Sequence, residues 1–425
     1  MFIHENPSWP SFRWDEASIS SLQLRAVQQI GYLAGRMSNI GFDTRASATV
    51  EAYTNDVVSS SLIESMKLDV DQVRSSVARK LGVALPRYTE PSHFVDGIVE
   101  MMLDASRNYA EGLSHERLFD WHSLLFPNAR NISVGKYRDG DISVISGNFG
   151  RERVHYRAPA ADRVEAEMDR FIGWYNSPDN PPSLVKAALS HLWFVSIHPF
   201  DDGNGRIARA ISDMALADFD RADFHFYSLS RQILKDKRHY YSVLERTQRG
   251  DGDVTVWLDW FMNAIAEAVS DSDSMLSAVL RKAKFWAVHS GQNFSDRQRK
   301  VLNTYLDGYE AKITVKNWAK IAEVSPDTAA RDIGNLVELT VLRPTPGRVR
   351  DVAYSLIFTK DEDNIADVFE DISLSNQSDG TIMTAKLRNG GELSDKISQI
   401  DVKRLDDNEI TLEQLAAKYF AYALD

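Results

Sequence analysis

The chain has 425 residues and a formal net charge of −12, and it contains no cysteine. This length allows two or three domains with a substantial core, and a chain without cysteine has neither disulfides nor thiolate metal sites. The first ten residues include Glu5 and lack the apolar stretch of a secretion signal, and no run is long enough to cross a bilayer. We therefore expect a cytoplasmic protein that does not associate with membranes.

The first informative segment is residues 54–66 (TNDVVSSSLIESM), whose apolar spacing predicts a helix. Ser60 and Glu64 are four residues apart, so they would share one face of that helix. On spacing alone, Glu64 could equally be an exposed side chain of an ordinary surface helix.

Residues 142–159 (ISVISGNFGRERVHYRAP) predict a β-hairpin. Alternating apolar residues lead into a Gly-Asn-Phe-Gly turn and a second short strand. Two strands alone are marginally stable, so an isolated hairpin in an otherwise helical chain needs a reason, and a surface hairpin without a partner stays open.

A polar loop between two apolar segments carries the most informative side chains of the sequence. Residues 184–197 (LVKAALSHLWFVSI) are apolar enough for a buried helix, and residues 207–219 carry apolar side chains at helical spacing. Between them lies the loop HPFDDGNGR, residues 198–206. The sequence therefore predicts a short polar loop that joins two core helices.

The first turn of the second helix is a predicted anion site. Its backbone N–H groups are unpaired, and the helix dipole favours negative charge there. Gly203 and Gly205, with Asn204 between them, would let phosphate oxygens approach the backbone. Arg206 and Arg209 are three residues apart on one face, so both could bind one polyphosphate.

Two further side chains of the loop have the chemistry of nucleotide transfer. Asp202 suits Mg²⁺, which commonly joins one or two carboxylates to phosphates. His198 can accept a proton near neutral pH and so deprotonate an incoming hydroxyl. A structural metal site or a capped helix start would also explain one His beside two Asp. Because the same loop also carries the glycines and arginines described above, a phosphate site is favoured over these alternatives.

Downstream, Tyr240 and Tyr241 are candidates for stacking on a nucleotide base, with core packing as the alternative. Residues 254–269 (VTVWLDWFMNAIAEAV) are strongly apolar and are predicted to close a helical bundle.

The next unit has the pattern of a winged helix. Residues 295–306 predict one helix, and residues 315–339 predict a helix-turn-helix in which Ser325 caps the second helix and Pro326 takes its first position. Residues 343–357 then predict two short strands around a turn.

Thr328, Arg331 and Asn335 are expected to face outward from the helix that would read DNA. Residues 291–357 contain ten Lys and Arg against eight Asp and Glu. Because a duplex binder usually has a clearer basic surface, DNA is not the favoured partner, and a protein-contact role stays open beside it.

The last part, residues 359–425, has fifteen Asp and Glu against seven Lys and Arg, so it carries most of the chain's negative charge. Short strands around residues 379–391 and a helix over 411–424 predict a small α+β appendage, whose role the sequence does not indicate.

Residues 198–209 match the Fic family signature, His-x-Phe-x-Asp/Glu-Gly-Asn-Gly-Arg-x-x-Arg, at every defined position. The likeness runs almost continuously from about Trp9 to about Trp260. The chain thus resembles a Fic family adenylyltransferase with an N-terminal inhibitory Glu helix and a C-terminal winged-helix module. Proteins of this family transfer AMP from ATP to a hydroxyl side chain of a target protein.

The resemblance implies roles by motif position. His198 would be the catalytic base, Phe200 would anchor the loop in the core, and Asp202 would hold Mg²⁺, while Asp201 takes no role. The residues implied to bind ATP are Gly203, Asn204, Gly205, Arg206, Arg209, Tyr240 and Tyr241.

Of the two arginines, the resemblance places Arg206 on the β-phosphate side and Arg209 on the γ-phosphate. Ser60 and Glu64 resemble the family's inhibitory motif, Ser/Thr-x-x-x-Glu-Gly/Asn, in which the Glu pairs with the second arginine and blocks the γ-phosphate. Ser65 departs from the Gly or Asn of that motif, and Ser tolerates a left-handed backbone less well.

The expected fold is mainly α: a Fic-type helical bundle with a β-hairpin flap, a winged helix and a small α+β tail. The expected domains are residues 1–90 (N-terminal helical domain with the inhibitory helix), 91–270 (Fic catalytic core), 271–358 (winged helix-turn-helix) and 359–425 (acidic appendage).

The expected function is AMP transfer from ATP to a Ser, Thr or Tyr hydroxyl, autoinhibited by Glu64. Target proteins, this chain itself among the candidates, would dock along residues 142–159, and a homodimer is left open. Three alternatives remain: removal of AMP with Glu64 positioning a water, transfer of another phosphate-linked group, and a transcriptional regulator that only senses nucleotide.

Overall fold

The structure is a computed structural model that describes residues 1–38, 42–85, 87–129, 131–147, 152–180, 183–222, 226–306, 308–309, 311–345, 352–358, 369–377, 380–387, 392–406, 412 and 415–416. The chain divides into two units, Met1–Leu276 and Ser277–Asp425. The fold is mainly helical with a few small sheets, as predicted. The finer division into four domains stays a prediction.

The helices that begin in the first unit are, in chain order, α1 (Glu16–Ser38), α2 (Phe42–Ile63), α3 (Val70–Leu81), α4 (His93–Arg107), α5 (His115–Leu125), α6 (Val164–Tyr175), α7 (Leu184–Ile197), α8 (Asn204–Asp220), α9 (Leu229–Lys235), α10 (Lys237–Gln248) and α11 (Thr255–Val288). In the part of the chain that the structure describes, none of the helices is both apolar enough and long enough to cross a membrane.

Helix α7 is the centre of the first unit's core. Nearly all of its residues are buried, and the hydroxyl of Ser183 starts the helix by accepting a hydrogen bond from the N–H of Lys186 at 3.0 Å. Helix α8 packs against α7 and also contacts α4 and α2. The loop that joins α7 to α8 is therefore supported from several sides, which fixes the position of the residues it carries.

The predicted hairpin is present. Strand β1 (Ser143–Ser146) pairs antiparallel with β2 (Arg153–Arg157), with Ser143 opposite Arg157 and Ser146 opposite Arg153. Most of the predicted Gly-Asn-Phe-Gly turn lies outside the described residues. The hairpin is hereafter called the flap.

The helix predicted over residues 54–66 ends earlier than expected. Helix α2 stops at Ile63, so Glu64 lies in the turn that follows it. Ser65 has φ 61°, and the N–H of Met66 donates back to the carbonyl of Ser61 at 3.0 Å. This left-handed residue with its return hydrogen bond is a common way to end a helix.

The second unit begins with the last part of α11. Three helices and a hairpin follow: α12 (Asp296–Leu306), α13 (Val315–Ala322), α14 (Pro326–Glu338), β3 (Leu342–Pro344) and β4 (Tyr354–Leu356). Ser325 caps α14 by accepting a hydrogen bond from the N–H of Thr328 at 3.3 Å, so the predicted cap is confirmed. The core of this part surrounds Trp318 and Phe285, which are fully buried. Its assignment as a winged helix stays a prediction.

The three side chains expected to face outward from α14 differ in their surroundings. Arg331 and Asn335 are exposed, whereas Thr328 is half-buried. The side-chain oxygen of Asn335 accepts a hydrogen bond from the side-chain amide of Gln298 at 3.0 Å, so this side chain already has a partner within the unit.

The acidic tail contains a three-stranded antiparallel sheet, β5 (Phe369–Gln377), β6 (Gly380–Leu387) and β7 (Glu392–Lys396), followed by α15 (Gln399–Asp406). Most of the helix predicted over 411–424 lies outside the described residues. Leu415 and Ala416, which are described, are buried in the small core beside the sheet.

Candidate active site

The loop between α7 and α8 is braced by its own side chains. The amide of Asn204 accepts a hydrogen bond from the N–H of Phe200 at 3.0 Å and donates to the Phe200 carbonyl at 2.7 Å. Phe200 is fully buried and stacks on the ring of His122 with centroids 4.3 Å apart. The Asn204 side chain thus closes the loop, and this residue offers a ligand its backbone N–H at the start of α8.

A second support of the loop is Arg138, which the sequence analysis did not identify. Its buried guanidinium donates to the carbonyls of His198 at 2.8 Å, Gly140 at 2.8 Å and Pro159 at 2.6 Å. One cation therefore ties the motif loop to the segments that flank the flap. Because its partners are backbone carbonyls, two of them at least 21 residues away in sequence, no local pattern could have revealed this role.

His198 ends α7 with a left-handed backbone, φ 53°. Its Nδ1 lies 3.2 Å from the carbonyl oxygen of Val195. Since a carbonyl only accepts, Nδ1 must carry the proton of this hydrogen bond, which leaves the lone pair on Nε2. Burial lowers the pKa of His198 below its ordinary 6.5, so the neutral imidazole, which can accept a proton, prevails near neutral pH.

Asp202 lies in the loop just before α8, and its side chain is 65% exposed. One of its carboxylate oxygens accepts the N–H of Gly203 at 2.6 Å, and the carbonyl of Asp202 accepts a hydrogen bond from His122 at 3.2 Å. An exposed, oriented carboxylate fits a hydrated Mg²⁺ ion, which keeps several waters and commonly uses one or two carboxylates plus phosphate oxygens.

Arg206 lies in the first turn of α8 and is 2% exposed. Its Nε and Nη1 make no hydrogen bond within the described residues, and its Nη2 is 4.0 Å from the carboxylate of Asp202. The guanidinium lies over the ring of Phe126 at 4.9 Å, and burial lowers its pKa. A buried cation with unused N–H groups beside a helix N-terminus is suited to an oxyanion.

Arg209, one turn further along α8, is held by α2 and the turn that follows it. Its Nε donates to the Ser60 hydroxyl at 2.9 Å, and its Nη2 donates to the Ser60 carbonyl at 2.9 Å and to Glu64 Oε1 at 3.0 Å. Ser60, Glu64 and Arg209 therefore come together as predicted from the sequence, although 145 residues separate Glu64 from Arg209.

The Glu64 carboxylate lies directly against the first turn of α8. A Cβ placed on Gly205 would be 2.3 Å from Glu64 Oε1 and 3.2 Å from Arg209 Nη1. Only glycine leaves room for an anion at this point, and the anion present is the side chain of Glu64.

A cavity of about 760 Å³ opens beside the motif. Its walls include Glu64, His198 and Gly205, together with flap residues and residues of α10. Tyr241 faces it and is 41% exposed, whereas Tyr240, which also reaches the wall, is 2% exposed and hydrogen-bonds to the buried His191 at 2.9 Å. Tyr241 is therefore the more accessible of the two predicted base-stacking residues.

Two buried carboxyl groups belong to the helices that carry Ser60 and Arg209: Asp56 lies on α2 and Asp213 lies on α8. Burial raises the pKa of Asp213 to about 7. No local sequence pattern indicates these two groups, because each Asp belongs to a different helix.

Parts of this chain are similar to known proteins. Residues 112–216 match the family model of the Fic/DOC family, and residues 2–83 match a domain of unknown function, DUF4172. The chain is similar to curated proteins named protein adenylyltransferase Fic. The one from Nematostella vectensis is 27% identical over 210 residues, which cover 48% of this chain and 45% of the relative.

The protein of the same name from Culex quinquefasciatus is 24% identical over 208 residues, which cover 48% of this chain and 39% of the relative. The matched part is thus less than half the length of these relatives. Among solved structures, the chain is similar to a Fic family protein from Desulfovibrio desulfuricans G20, with TM-score 0.47, 20% identity and coverage of 81% of this chain and 97% of that one. A Fic domain containing signaling protein from Bacteroides thetaiotaomicron gives TM-score 0.46, 18% identity and coverage of 61% and 97%.

Proposed function

The chain carries a Fic/DOC domain over residues 112–216, and from that premise we propose that it transfers AMP from ATP to a Ser, Thr or Tyr hydroxyl of a target protein. The observation that carries the proposal is Arg206: a buried guanidinium with unused N–H groups beside the N-terminus of α8. An oxyanion at this place would pair with a charge that the described residues leave incompletely satisfied.

In this proposal the phosphates of ATP lie along the first turns of α8. The backbone N–H groups after Gly203 and the two guanidinium groups of Arg206 and Arg209 bind their oxygens. Asp202 would hold Mg²⁺, which when bound would neutralise charge on the departing phosphates. Tyr241, exposed in the same cavity, would stack on the base.

The chemical step is a substitution at the α-phosphorus. His198 Nε2 accepts the proton of the target hydroxyl, whose oxygen forms the new bond to phosphorus while the bond to the β-phosphate oxygen breaks and pyrophosphate leaves. Since the lone pair of His198 is on Nε2, the base needs no tautomer change before it acts. Rate acceleration comes mainly from positioning and charge neutralisation.

The target segment would dock on β1. This strand pairs with β2 on one edge, and the side chains of Val144 and Ile145 are 41% and 55% exposed. An extended peptide can add to such an edge through main-chain hydrogen bonds, which tolerate many sequences. Exposed apolar side chains on the strand favour a protein partner over a small alcohol.

Glu64 would hold this activity low. Its carboxylate occupies the space above Gly205 and takes one N–H of Arg209, the two features that a γ-phosphate would need. A carboxylate and a triphosphate cannot both neutralise the same guanidinium. Displacement of the turn after α2 would therefore be required before ATP binds productively.

One observation favours a second reaction at the same site. Glu64 lines the cavity together with His198 and is about one third exposed, so it could position a water for removal of AMP from a modified target. Both reactions use His198, and they differ in whether Glu64 is needed.

The test is label transfer from ATP with a radioactive α-phosphate and Mg²⁺ into the proteins of a cell lysate. We expect weak labelling with the wild type, strong labelling with Glu64→Gly, and loss of label on lysate proteins when His198→Ala is added. Labelled proteins that lose AMP only with the wild type would support the second reaction. If no variant labels any protein although ATP binds, the transfer proposal is wrong, and a nucleotide-sensing regulator becomes the better hypothesis.

A further inference from the structure

The cavity beside the motif has a basic side that the motif does not supply. Arg238 near the start of α10 and Arg153 on strand β2 both line the cavity, and both side chains are exposed. Residues 237–249 contain four Lys and Arg against a single Glu, in a chain whose formal net charge is −12. This side of the cavity is therefore basic although the chain as a whole is acidic.

Glu245, the acidic residue of α10, does not neutralise this side of the cavity. Its carboxylate lies 2.8 Å from Arg153 Nη2, 3.3 Å from Arg249 Nε and 2.7 Å from His155 Nδ1. Two guanidinium groups thus share one carboxylate. Because the side chain of Arg153 is 69% exposed, its remaining N–H groups can reach a further acceptor.

Arg238 is a cation that the described part of the fold does not use. It lines the cavity, yet among the described residues it makes neither a hydrogen bond nor an ion pair. In the proposed function the phosphates of ATP are bound by Arg206, Arg209 and the first turn of α8. A different anion is therefore needed to account for a cation on α10.

The spacing of the two cations fits an extended peptide segment. Arg153 pairs with Glu245, which follows Arg238 by seven residues on α10. Since a helix rises 1.5 Å per residue, the two positive groups are about 10 Å apart along the helix axis. In an extended segment every second side chain points to the same side, and side chains four residues apart are separated by about 13 Å.

We infer that Arg238 and Arg153 select target segments in which an Asp or Glu stands two residues before or after the modified hydroxyl. The inference rests on the proposed transfer of AMP. With the hydroxyl turned toward His198, the side chains at these two positions point to the same side and meet the arginines. Val144 and Ile145 line the same cavity and are exposed, so the segment would also carry an apolar side chain.

The experiment uses the full chain with Glu64→Gly, Mg²⁺ and ATP carrying a radioactive α-phosphate, and it maps the labelled hydroxyls of lysate proteins by mass spectrometry. We expect Asp or Glu two residues away more often than around the unlabelled hydroxyls of the same proteins. Synthetic peptides copied from one labelled site, with the acidic residue kept or replaced by Asn or Lys, then give kcat/KM for each sequence.

Arg238→Gln should lower kcat/KM for the acidic peptide about fivefold, the size expected of an exposed charge pair, and leave the Asn peptide unchanged. Arg153→Gln should act in the same direction. The matched control is Arg246→Gln, exposed on the same helix but outside the cavity wall, which should change neither peptide. Arg238→Glu should reverse the preference, so that the Lys peptide is labelled faster than the acidic one.

The outcomes separate this inference from the proposed function. Labelled sites without an excess of acidic residues, or an acidic peptide that Arg238→Gln labels at the full rate, would overturn the inference and leave the proposed function standing. A KM for ATP that rises in Arg238→Gln as much as the KM for the peptide would make Arg238 a nucleotide contact and would also overturn it. If no protein is labelled in any variant, the proposed function fails and the inference falls with it.

Discussion

Glu64 Oε1 lies 3.0 Å from Arg209 Nη2, and the same oxygen lies 2.3 Å from the point where a Cβ on Gly205 would be. One carboxylate therefore takes both a guanidinium N–H and the open space above the first turn of α8. In the proposed function a terminal phosphate would use these same two features, so the Glu64 side chain and a nucleotide would compete for one place.

Replacing Glu64 with glutamine should increase ATP affinity, because the amide keeps the shape of the side chain and loses its charge. A charge-assisted hydrogen bond contributes about 1.5–3 kcal/mol, which corresponds to roughly 10- to 100-fold in affinity. Calorimetric titration of ATP into Glu64→Gln measures the change. The control is Glu51→Gln on α2, where the carboxylate pairs with Arg74. Equal affinities for wild type and Glu64→Gln would contradict the competition.

Gly205→Ala should have opposite effects on stability in two backgrounds. In the wild type the new Cβ displaces Glu64 and leaves the buried Arg209 with fewer partners, so the free energy of unfolding falls. With Glu64→Gly the obstacle is gone, and alanine is more favourable than glycine within a helix by about 0.5–1 kcal/mol. Urea unfolding of the four proteins gives a coupling energy that we expect to be about 1–3 kcal/mol. A coupling near zero would show that the two groups do not touch.

Ser65→Gly should stabilise the first unit. Ser65 has φ 61°, a left-handed conformation that costs a residue with a Cβ about 1–2 kcal/mol and costs glycine little. After the greater freedom of glycine in the unfolded chain is subtracted, we expect a gain of about 0.5–1 kcal/mol, or roughly 1–4 °C in Tm. Thermal unfolding measures it. The control is Ser20→Gly, inside the exposed face of α1, where the same change should destabilise. A fall in Tm for Ser65→Gly would argue against the helix end described above.

The Asp56–Asp213 pair should make stability depend on pH. The pKa of Asp213 is about 7 in the folded protein, well above its ordinary 3.8, because the group is buried. Between these values the folded state holds a proton that the unfolded chain releases. This contribution to stability is therefore complete below the ordinary pKa and is lost as pH rises through about 7. Urea midpoints between about pH 5 and about pH 8 measure the slope.

Asp213→Asn should remove this part of the pH dependence, because the amide does not titrate. The exposed Asp259 on α11 provides the matched control, and Asp259→Asn should leave the slope unchanged. A slope that survives in Asp213→Asn would assign the pH dependence to other groups.

The features that the sequence predicted are mostly local ones. The helices on either side of the motif follow from their apolar spacing, the start of α14 follows from Ser325 and Pro326, and the flap follows from alternation around a turn. In each case the residues that determine the structure are neighbours in the chain, so their pattern can be read without knowing the fold. The contact between Glu64 and Arg209 is distant in sequence, and it was predicted only through resemblance to a family.

The features that were missed depend on side chains brought together by folding. Arg138 binds the carbonyl of His198, and His155 joins Ser146 to Glu245 across the flap and α10. A single Arg or His in a sequence has no distinguishing spacing, and its partners here include backbone carbonyls that no residue type encodes. The end of α2 was misplaced for a related reason, because the left-handed turn uses a serine where glycine is usual.

The buried guanidinium of Arg206 bears on which ligands the site would prefer. Its Nε and Nη1 have no acceptor among the described residues, so an anion that binds at the start of α8 would complete the hydrogen bonds of a buried cation. Leaving buried polar groups unsatisfied costs about 1–3 kcal/mol, and a phosphate oxygen recovers it on binding whereas a neutral nucleoside does not. Discrimination between adenosine and its phosphates would thus be built into the unbound fold, and inorganic pyrophosphate alone would raise its melting temperature.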